Sequence, residues 1–304
     1  MPRIRYLRFF KGAGDFRSEE RSASLVRWFF GEEEANFALL TPYSVAMDGY
    51  GTLWVADTGS RMLYRFDLTR GEITYIREFG EIQLISPGGV VVDNLRRRLF
   101  VSDAELAKVF VFDLEGRFLA EWAPAEGFGR PAGMAIDSSG HLFVADVLRR
   151  QVFVFDTNGA LAERRGSRVG ADGLFGRPLG VAIGPRDELL ILDGGAFRIE
   201  AHGAKGELLG LIGKLGDVPG TFARPRGLAV SAQGQIFVSD AAFDNIQVFD
   251  LTGRLLMHFG SSGGGAGQFN LPAGLSFDQD GRLFVADAYN HRIQVFQFSP
   301  EGGQ

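Results

Sequence analysis

The chain is 304 residues long, with 45% hydrophobic and 23% charged residues, and no apolar run approaches the roughly 20 residues that a membrane helix requires. It contains no cysteine, which excludes disulfides, thiolate nucleophiles and cysteine-ligated zinc. The formal net charge of −5 argues against a general attraction to nucleic acid. The 42 Gly and 28 Phe, beside only 11 Pro, favour many short strands joined by tight turns.

One sequence unit recurs six times along the chain. It reads Pro-x-Gly-apolar-Ala-apolar-Asp, a turn, Leu-Phe-Val-Ala/Ser-Asp, a second turn, and then apolar-x-Val-Phe-Asp. Its copies begin at Pro42, Pro87, Pro131, Pro178, Pro225 and Pro272. An aspartate that closes the second strand keeps the same count, at Asp57, Asp103, Asp146, Asp193, Asp240 and Asp287. The chain is therefore predicted to contain six similar structural units.

Each unit predicts three strong strands, called a, b and c, and a weaker strand d. In the third copy strand a spans 133–137, strand b 142–146 and strand c 152–156, while strand d is clearest at 208–212 in the fourth copy. Short strands that are almost continuously apolar indicate sheets buried on both faces. Four strands in each repeat predict an all-β fold, a six-bladed β-propeller of four-stranded antiparallel blades.

The two ends of the chain predict how the ring closes. After residue 298 the last copy lacks a strand d, whereas residues 24–31 resemble the strand d at 254–260. We expect this N-terminal strand to complete the last blade, and residues 3–10 to be an additional edge strand or a linker. The predicted organisation is an N-terminal extension at 1–23, a single propeller at 24–298 and a C-terminal tail at 299–304.

The last copy carries the most recognisable phrases. Pro272-Ala-Gly-Leu275, Leu283-Phe-Val-Ala-Asp287 and Asn290-His-Arg-Ile-Gln-Val-Phe296 closely resemble the NHL repeat, and the resemblance extends over about residues 24–298. Blade four departs from it, with Leu192-Asp-Gly-Gly195 and Ile199-Glu-Ala-His202 in place of the usual forms. Such a departure is typical either of a ligand or partner site or of relaxed packing demands.

The resemblance implies several functions for the propeller. NHL propellers are mostly interaction platforms that bind protein or RNA, and a few similar six-bladed propellers are metal-dependent lyases or hydrolases, so the fold does not decide the function. Segments 2–7 and 28–32 also look like bacterial NHL proteins exported as lipoproteins, which implies the bacterial cell envelope. Arg3, Arg5 and Arg8 interrupt any apolar core of a signal peptide, so we expect no export signal in the chain.

Metal or lyase chemistry would need side chains that converge in the central channel. The four histidines lie on different turns and strands, so packing or surface roles are expected for His141, His202, His258 and His291. The six strand-closing aspartates could form a calcium-binding ring, but each can instead accept hydrogen bonds within its own turn. The sequence therefore predicts structural aspartates, no catalytic residue, no metal and no cofactor.

Arginine precedes the blade-opening proline in three consecutive copies. Because strand a enters the ring at the channel, these arginines should share one face near the channel mouth. Residues 117–226 carry 14 Lys and Arg against 13 Asp and Glu, a net charge of +1, so the rest of the chain holds −6. An anionic ligand, an acidic peptide or a phosphate could bind here, or each arginine could pair with a nearby turn aspartate. The partner-binding candidates are Arg130, Arg177, Arg224, Arg226, Arg149 and Arg150.

The preferred interpretation is a non-enzymatic scaffold that binds a protein partner through this face. RNA binding is the first alternative, which the acidity of the chain disfavours, and a metal-dependent enzyme with a site in the channel is the second. A continuous positive groove in this sector would favour RNA, whereas exposed aromatic or apolar residues would favour a protein.

Overall fold

The computed structural model describes residues 3–16 and 38–299, which form six four-stranded antiparallel sheets and one short hairpin. The predicted six-bladed propeller is confirmed, and each predicted blade-opening proline begins an innermost strand. Within this part of the chain, no helix is long and apolar enough to cross a membrane.

The strands follow one another along the chain in blade order. The chain begins with β1 (Arg3–Phe10) and a 3-10 turn (Ala13–Phe16). Blade one contains β2 (Pro42–Met47), β3 (Thr52–Asp57), β4 (Met62–Asp67) and β5 (Glu72–Ile76). The hairpin of β6 (Glu78–Phe79) and β7 (Ile82–Gln83) leads to blade two, with β8 (Pro87–Asp93), β9 (Arg98–Asp103), β10 (Lys108–Asp113) and β11 (Phe118–Trp122).

The remaining blades repeat this order. Blade three contains β12 (Pro131–Ile136), β13 (Leu142–Asp146), β14 (Gln151–Phe155) and β15 (Leu161–Arg165). Blade four contains β16 (Pro178–Ile183), β17 (Leu189–Asp193), β18 (Arg198–His202) and β19 (Leu208–Ile212). Blade five contains β20 (Pro225–Val230), β21 (Ile236–Asp240), β22 (Asn245–Phe249) and β23 (Leu255–Phe259). Blade six contains β24 (Pro272–Phe277), β25 (Arg282–Asp287), a 3-10 turn (Ala288–Asn290) and β26 (Arg292–Ser299).

Hydrophobic clusters fill the spaces between adjacent blades. Between blades three and four, Phe143 and Val154 pack with Val181 and Ile191, whereas Leu142 of the same strand as Phe143 faces blade two. Successive residues of a strand point to opposite faces of its sheet, so both faces of a blade must be apolar. This arrangement explains the nearly continuous apolar strands of the repeat.

Glycine at the third position of strand a lets neighbouring blades meet around the axis. A Cβ on Gly133 would lie 2.7 Å from the Cα of Gly180, and a Cβ on Gly274 would lie 2.7 Å from the Cα of Ser44. These separations are too short for any side chain. Close backbone packing thus requires the glycine of the Pro-x-Gly phrase at these two positions, whereas blade one carries Ser44 there and a Cβ on Gly180 would meet no atom within 4 Å.

An N-terminal strand completes the last blade, as predicted, but it is a different strand. The sheet order is β1, β26, β25 and β24, and β1 pairs with β26 from Arg3 opposite Ser299 to Phe10 opposite Ile293. Residues 3–10, expected to be an additional strand or a linker, therefore form the outer strand of blade six. The predicted strand at 24–31 lies outside the described residues.

In blades four, five and six a polar residue within strand c holds the connector that precedes the blade. In blade four the buried carboxylate of Glu200 accepts hydrogen bonds from the Ser167 hydroxyl at 2.5 Å and the Arg168 N–H at 3.1 Å. Gln247 and Gln294 hold the connectors before blades five and six in the same way. Glu200, one of the residues by which blade four departs from the repeat, thus makes the same structural contact with a carboxylate that Gln247 and Gln294 make with an amide.

Candidate functional site

The propeller has two faces, named here by their turns. The upper face carries the b–c turns and the segments that precede each blade-opening proline, and the lower face carries the a–b and c–d turns. The strand-closing aspartates hold the upper face together and are buried. In blade three, Asp146 accepts hydrogen bonds of 2.6–3.0 Å from the backbone N–H groups of Gly129, Arg130, Leu148 and Arg149.

The same aspartate recurs with similar partners around the ring. Asp57, Asp103, Asp193 and Asp240 also accept backbone N–H groups from both their b–c turn and the segment before strand a. Asp287 in blade six instead accepts one backbone N–H and the side chains of Asn290, Arg292 and Gln294. The prediction of structural aspartates is confirmed, since their oxygens face local donors.

Arg130, Arg177 and Arg224 occupy equivalent positions on the upper face. Their backbone N–H groups bind the aspartates, while their side chains extend into solvent. Across residues 3–16 and 38–299, none of the three guanidinium groups makes an ion pair or a side-chain hydrogen bond. The turn aspartates bind backbone rather than arginine side chains here, so these guanidinium groups have no ion-pair partner among the described residues.

Arg226 lies deeper, at the second position of β20 and at the mouth of the channel. It is half-buried, with its guanidinium 5.9 Å from the ring centroid of Tyr43. Burial lowers the pKa of Arg226, and the like charges of Arg224 and Arg177 lower it further, against the opposing influence of Tyr43 and Tyr289. Three arginines from two blades, Arg177, Arg224 and Arg226, thus form one electrostatic group, called here the arginine cluster.

The other two candidate arginines have partners within the protein. Arg149 donates to the carbonyl oxygens of Glu126 and Gly127. Arg150 donates to the carbonyl oxygen of Phe175 at 2.6 Å and forms an ion pair with Asp172 at 2.9 Å. The structure therefore separates these two side chains from the arginine cluster, and a role for them in binding stays a prediction.

The turns around the arginine cluster carry small residues at the centre of the sector and large exposed ones at its sides. The b–c turns of blades four and five begin with Gly194, Gly195, Ala241 and Ala242, whose side chains are no larger than a methyl group. At the equivalent turns on either side, Leu148 is 67% exposed and Tyr289 is 58% exposed. This stretch of small residues between Leu148 and Tyr289, called here the upper hollow, was not predicted. Comparing the b–c turns across all six copies could have revealed it.

The histidines do not converge on a common site. His141 bonds Asp137 at 2.9 Å in a lower turn, His202 is buried beside Glu200 at 3.2 Å, and His291 bonds the Leu40 carbonyl. His258 is exposed on an outer strand. The part of the chain that the structure describes contains no group of three or more His, Asp and Glu residues able to hold a metal ion.

A cleft of about 560 Å³ opens on the lower face between blades three and four. Its polar walls include Asp137 with His141, Asp187, and Arg165 with Glu163. Each of these groups already has a partner, since His141 bonds Asp137, Ser138 bonds Asp187 and Arg165 bonds Glu163. The cleft therefore differs in sign from the arginine cluster, because the neutral Ser138 leaves the negative charge of Asp187 without an ion-pair partner among the described residues.

Known structures share this architecture at low sequence identity. Virginiamycin B lyase from Staphylococcus aureus is 11% identical with a TM-score of 0.65, over 98% of this chain and 99% of that one. A gluconolactonase from Xanthomonas campestris is 18% identical with a TM-score of 0.66, over 86% and 87% of the two chains. A chain of a nidogen–laminin complex is 20% identical with a TM-score of 0.58, over 72% and 80%. Such likenesses define the fold alone, because these neighbours include enzymes and a member of a protein complex.

The molecule belongs to the class of six-bladed β-propellers. The family model of the NHL repeat matches residues 269–296, which comprise β24, β25 and most of β26. The last blade of this propeller therefore matches an NHL repeat, in agreement with the resemblance seen in the sequence. No curated protein matches it significantly.

Proposed function

We propose that the protein is a non-enzymatic interaction propeller that binds an acidic segment of a protein partner on the upper face of blades four and five. The observation that carries this proposal is the arginine cluster, whose three charges have no acidic partner among the described residues. Arginine is well suited to this role because its planar fork binds carboxylates through two parallel hydrogen bonds. An acidic partner would supply the missing negative charges.

The surroundings of the cluster favour a protein over RNA. Exposed Leu148 and Tyr289 flank the upper hollow, and Ile85 is exposed on the same face. Apolar and aromatic side chains around a charged centre are typical of protein interfaces. Thr41 and Ser86 replace the arginine in blades one and two, so the positive charge covers one sector rather than a long groove of the kind that binds a nucleic-acid backbone.

No observation on the described residues favours a channel enzyme. The six residues at the second position of strand a offer only one phenol and one guanidinium as side-chain polar groups, and the strand-closing aspartates are occupied by local donors. A hydrolase or lyase site would need further acid, base or metal-binding groups at the channel mouth. The residues at the second position are Tyr43, Gly88, Ala132, Leu179, Arg226 and Ala273.

Changing Arg177 and Arg224 together to Glu should abolish partner binding, because two attractive charges become repulsive ones. The measurement is affinity capture of native partners from cell extract, followed by titration of the captured protein against the wild-type chain and the variant. We expect the affinity to fall at least about 100-fold. Both side chains are exposed, so thermal unfolding should be nearly unchanged.

Two single-charge variants serve as controls. Arg61→Glu alters an exposed arginine on the upper face of blade one, and Lys205→Glu alters an exposed lysine on the lower face of blade four. Both should bind the partner as the wild-type chain does. Identical capture by the wild-type chain and the double variant would contradict the proposal, and specific loss of RNA rather than protein would assign the face to RNA.

A further inference from the structure

The charges of the arginine cluster indicate how much negative charge its ligand carries. Arg226 is half-buried over Tyr43, with the charges of Arg177 and Arg224 close enough to act on it. A single carboxylate would neutralise one of these three charges and leave two like charges close together. A small group that carries two negative charges would balance the cluster more completely.

Two glycines in the b–c turn of blade four fix the position of the segment that carries Arg177. A Cβ on Gly195 would lie 2.7 Å from the backbone carbon of Gly176 and 3.0 Å from the Cβ of Arg177. A Cβ on Gly194 would meet the side chain of Leu179, the residue at the channel mouth in this blade. The b–c turn of blade four therefore packs directly against the segment that carries Arg177, which no residue larger than glycine permits.

The upper hollow limits the size of the group that reaches the cluster. Its floor consists of Gly and Ala residues in the turns of blades four and five, and its sides carry Leu148 and Tyr289. A compact anion can approach the guanidinium groups over the small floor residues. The apolar stem that carries the anion can then pack against the leucine or the tyrosine.

We propose that the upper hollow binds a phosphate monoester displayed on a protein partner, with Arg177 and Arg224 as the exposed forks and Arg226 as the half-buried charge behind them. This inference rests on the proposed function and specifies its ligand. A phosphate monoester carries about −1.5 to −2 charges at pH 7 and presents three acceptor oxygens. The forks of Arg177 and Arg224 can share those three oxygens, and the second negative charge of the phosphate would offset the charge of Arg226 behind them.

Phenyl phosphate and benzoate are suitable probes because they join the same ring to a dianion and to a monoanion. In calorimetric titrations of the full chain at pH 7.5, phenyl phosphate should bind at least about tenfold more tightly than benzoate. This preference should shrink below about pH 6, where the phosphate gains its second proton. Equal affinities, or a preference that does not change with pH, would overturn the proposal.

Substitutions locate the probe on the protein. Arg177→Gln and Arg224→Gln should each weaken phenyl phosphate about five- to tenfold, whereas Arg61→Gln should not change it. Gly195→Ala should weaken it similarly without removing a charge, because the added Cβ displaces the segment of Arg177. Thermal unfolding checks that Gly195→Ala is folded. If it is not folded, the two arginine variants alone determine whether the probe binds at this position. Binding that survives both arginine substitutions would overturn the proposal.

A last pair of ligands identifies what carries the phosphate. A phosphoserine peptide should bind more tightly than AMP, and its unphosphorylated form should bind more weakly than both. Tighter binding of AMP would overturn the assignment to a protein partner. If a captured partner still binds through Arg177 and Arg224 after phosphatase treatment, the proposed function stands and the phosphate inference is wrong.

Discussion

The buried aspartate at the end of each strand b shows how one side chain organises a whole turn. Asp146 is fully buried, and its two oxygens together accept four backbone N–H groups from two separate segments. These N–H groups belong to turns, where no ladder partner is available to them. The side chain therefore replaces a strand as the acceptor, and it fixes the backbone of Arg130 near the channel mouth.

Replacing Asp146 with Ala should lower the free energy of unfolding by about 3 kcal/mol or more, since it leaves several buried donors without an acceptor. Asp146→Asn should cost less, because its amide oxygen can still accept from part of the set. Denaturant unfolding measures both changes. At the exposed position Asp217, the control substitution Asp217→Ala should change the free energy of unfolding by no more than about 0.5 kcal/mol. An equal loss of stability in Asp146→Ala and Asp217→Ala would refute this role for Asp146.

For single residues, the sequence predicted the face of the propeller on which an arginine lies better than it predicted the contacts of the arginine side chain. The repeat alone placed Arg177 and Arg224 on one face, because residues at the same position in each copy lie at the same height in the ring. It could not predict that Arg226 reaches across the front of blade six to Tyr43 of blade one. It also could not predict that Arg150 turns toward Phe175 and Asp172, since side-chain direction depends on the local packing.

The connectors before blades four, five and six depend on a buried polar residue in strand c. In blade four this residue is Glu200, and burial, the largest single effect, favours its neutral form. Several donors and a charge nevertheless lower the pKa of Glu200 to about 2. The groups responsible are, in order of effect, the His202 side chain, the Ser167 hydroxyl, the Arg168 N–H and the Arg198 charge.

The lowered pKa of Glu200 predicts acid sensitivity. In the unfolded chain the carboxyl takes up a proton near its ordinary value of 4.5, whereas in the folded chain it stays ionised down to about pH 2. Its contribution is therefore complete above pH 4.5 and is lost as the pH falls toward 2, by an amount on the order of 3 kcal/mol. Denaturant unfolding between pH 7 and pH 2.5 measures this loss.

Glu200→Gln tests the origin of that sensitivity. The variant should be less stable at pH 7, because it loses the charged hydrogen bonds, yet it should keep the connector in place as Gln247 and Gln294 do in their blades. Its stability should fall less steeply between pH 4.5 and pH 2.5 than that of the wild-type chain. Glu207→Gln, at an exposed position of the same blade, should leave the steep fall intact, and the same slope in all three proteins would refute the assignment.

The departure of blade four from the repeat was open to two interpretations at the level of sequence. The Glu200 and His202 side chains are buried in contact with one another, so this part is structural. Gly194 and Gly195 instead lie under Leu179 and Arg177 at the upper face. A single sequence could not separate these roles, because both replace the usual residues of the same blade.

The ring as a whole is closed by pairing the first strand with the last. Within β1, Ile4 and Tyr6 pack in the cluster between blades five and six, and Phe10 packs in the cluster between blades six and one. The missing strand d of the last copy correctly predicted that an N-terminal strand closes the ring, but the strand was assigned to residues 24–31. The correct strand was missed because β1 alternates with Arg3, Arg5 and Arg8, unlike the mostly apolar strand d of blades four and five on which the prediction was based.

Deleting residues 1–10 should lower the melting temperature by roughly 10 °C, because three packed side chains and a full row of strand pairing are lost. The variant should also self-associate through the newly exposed edge of β26, which size-exclusion chromatography detects. Deleting residues 300–304, which follow the last strand, is the matched control and should leave melting unchanged. A truncated chain that melts like the wild type and stays monodisperse would disprove this closure.

Pairing the first strand with the last also orders events during synthesis. The ribosome makes β1 before the other strands of the propeller, but its neighbour β26 ends at Ser299, so the strand waits on the order of tens of seconds for its partner at ordinary elongation rates. During that interval five blades can fold while the sixth cannot. The nascent chain therefore carries this apolar, basic strand unpaired until the last blade has been made, and its free backbone groups can meanwhile pair with other extended segments.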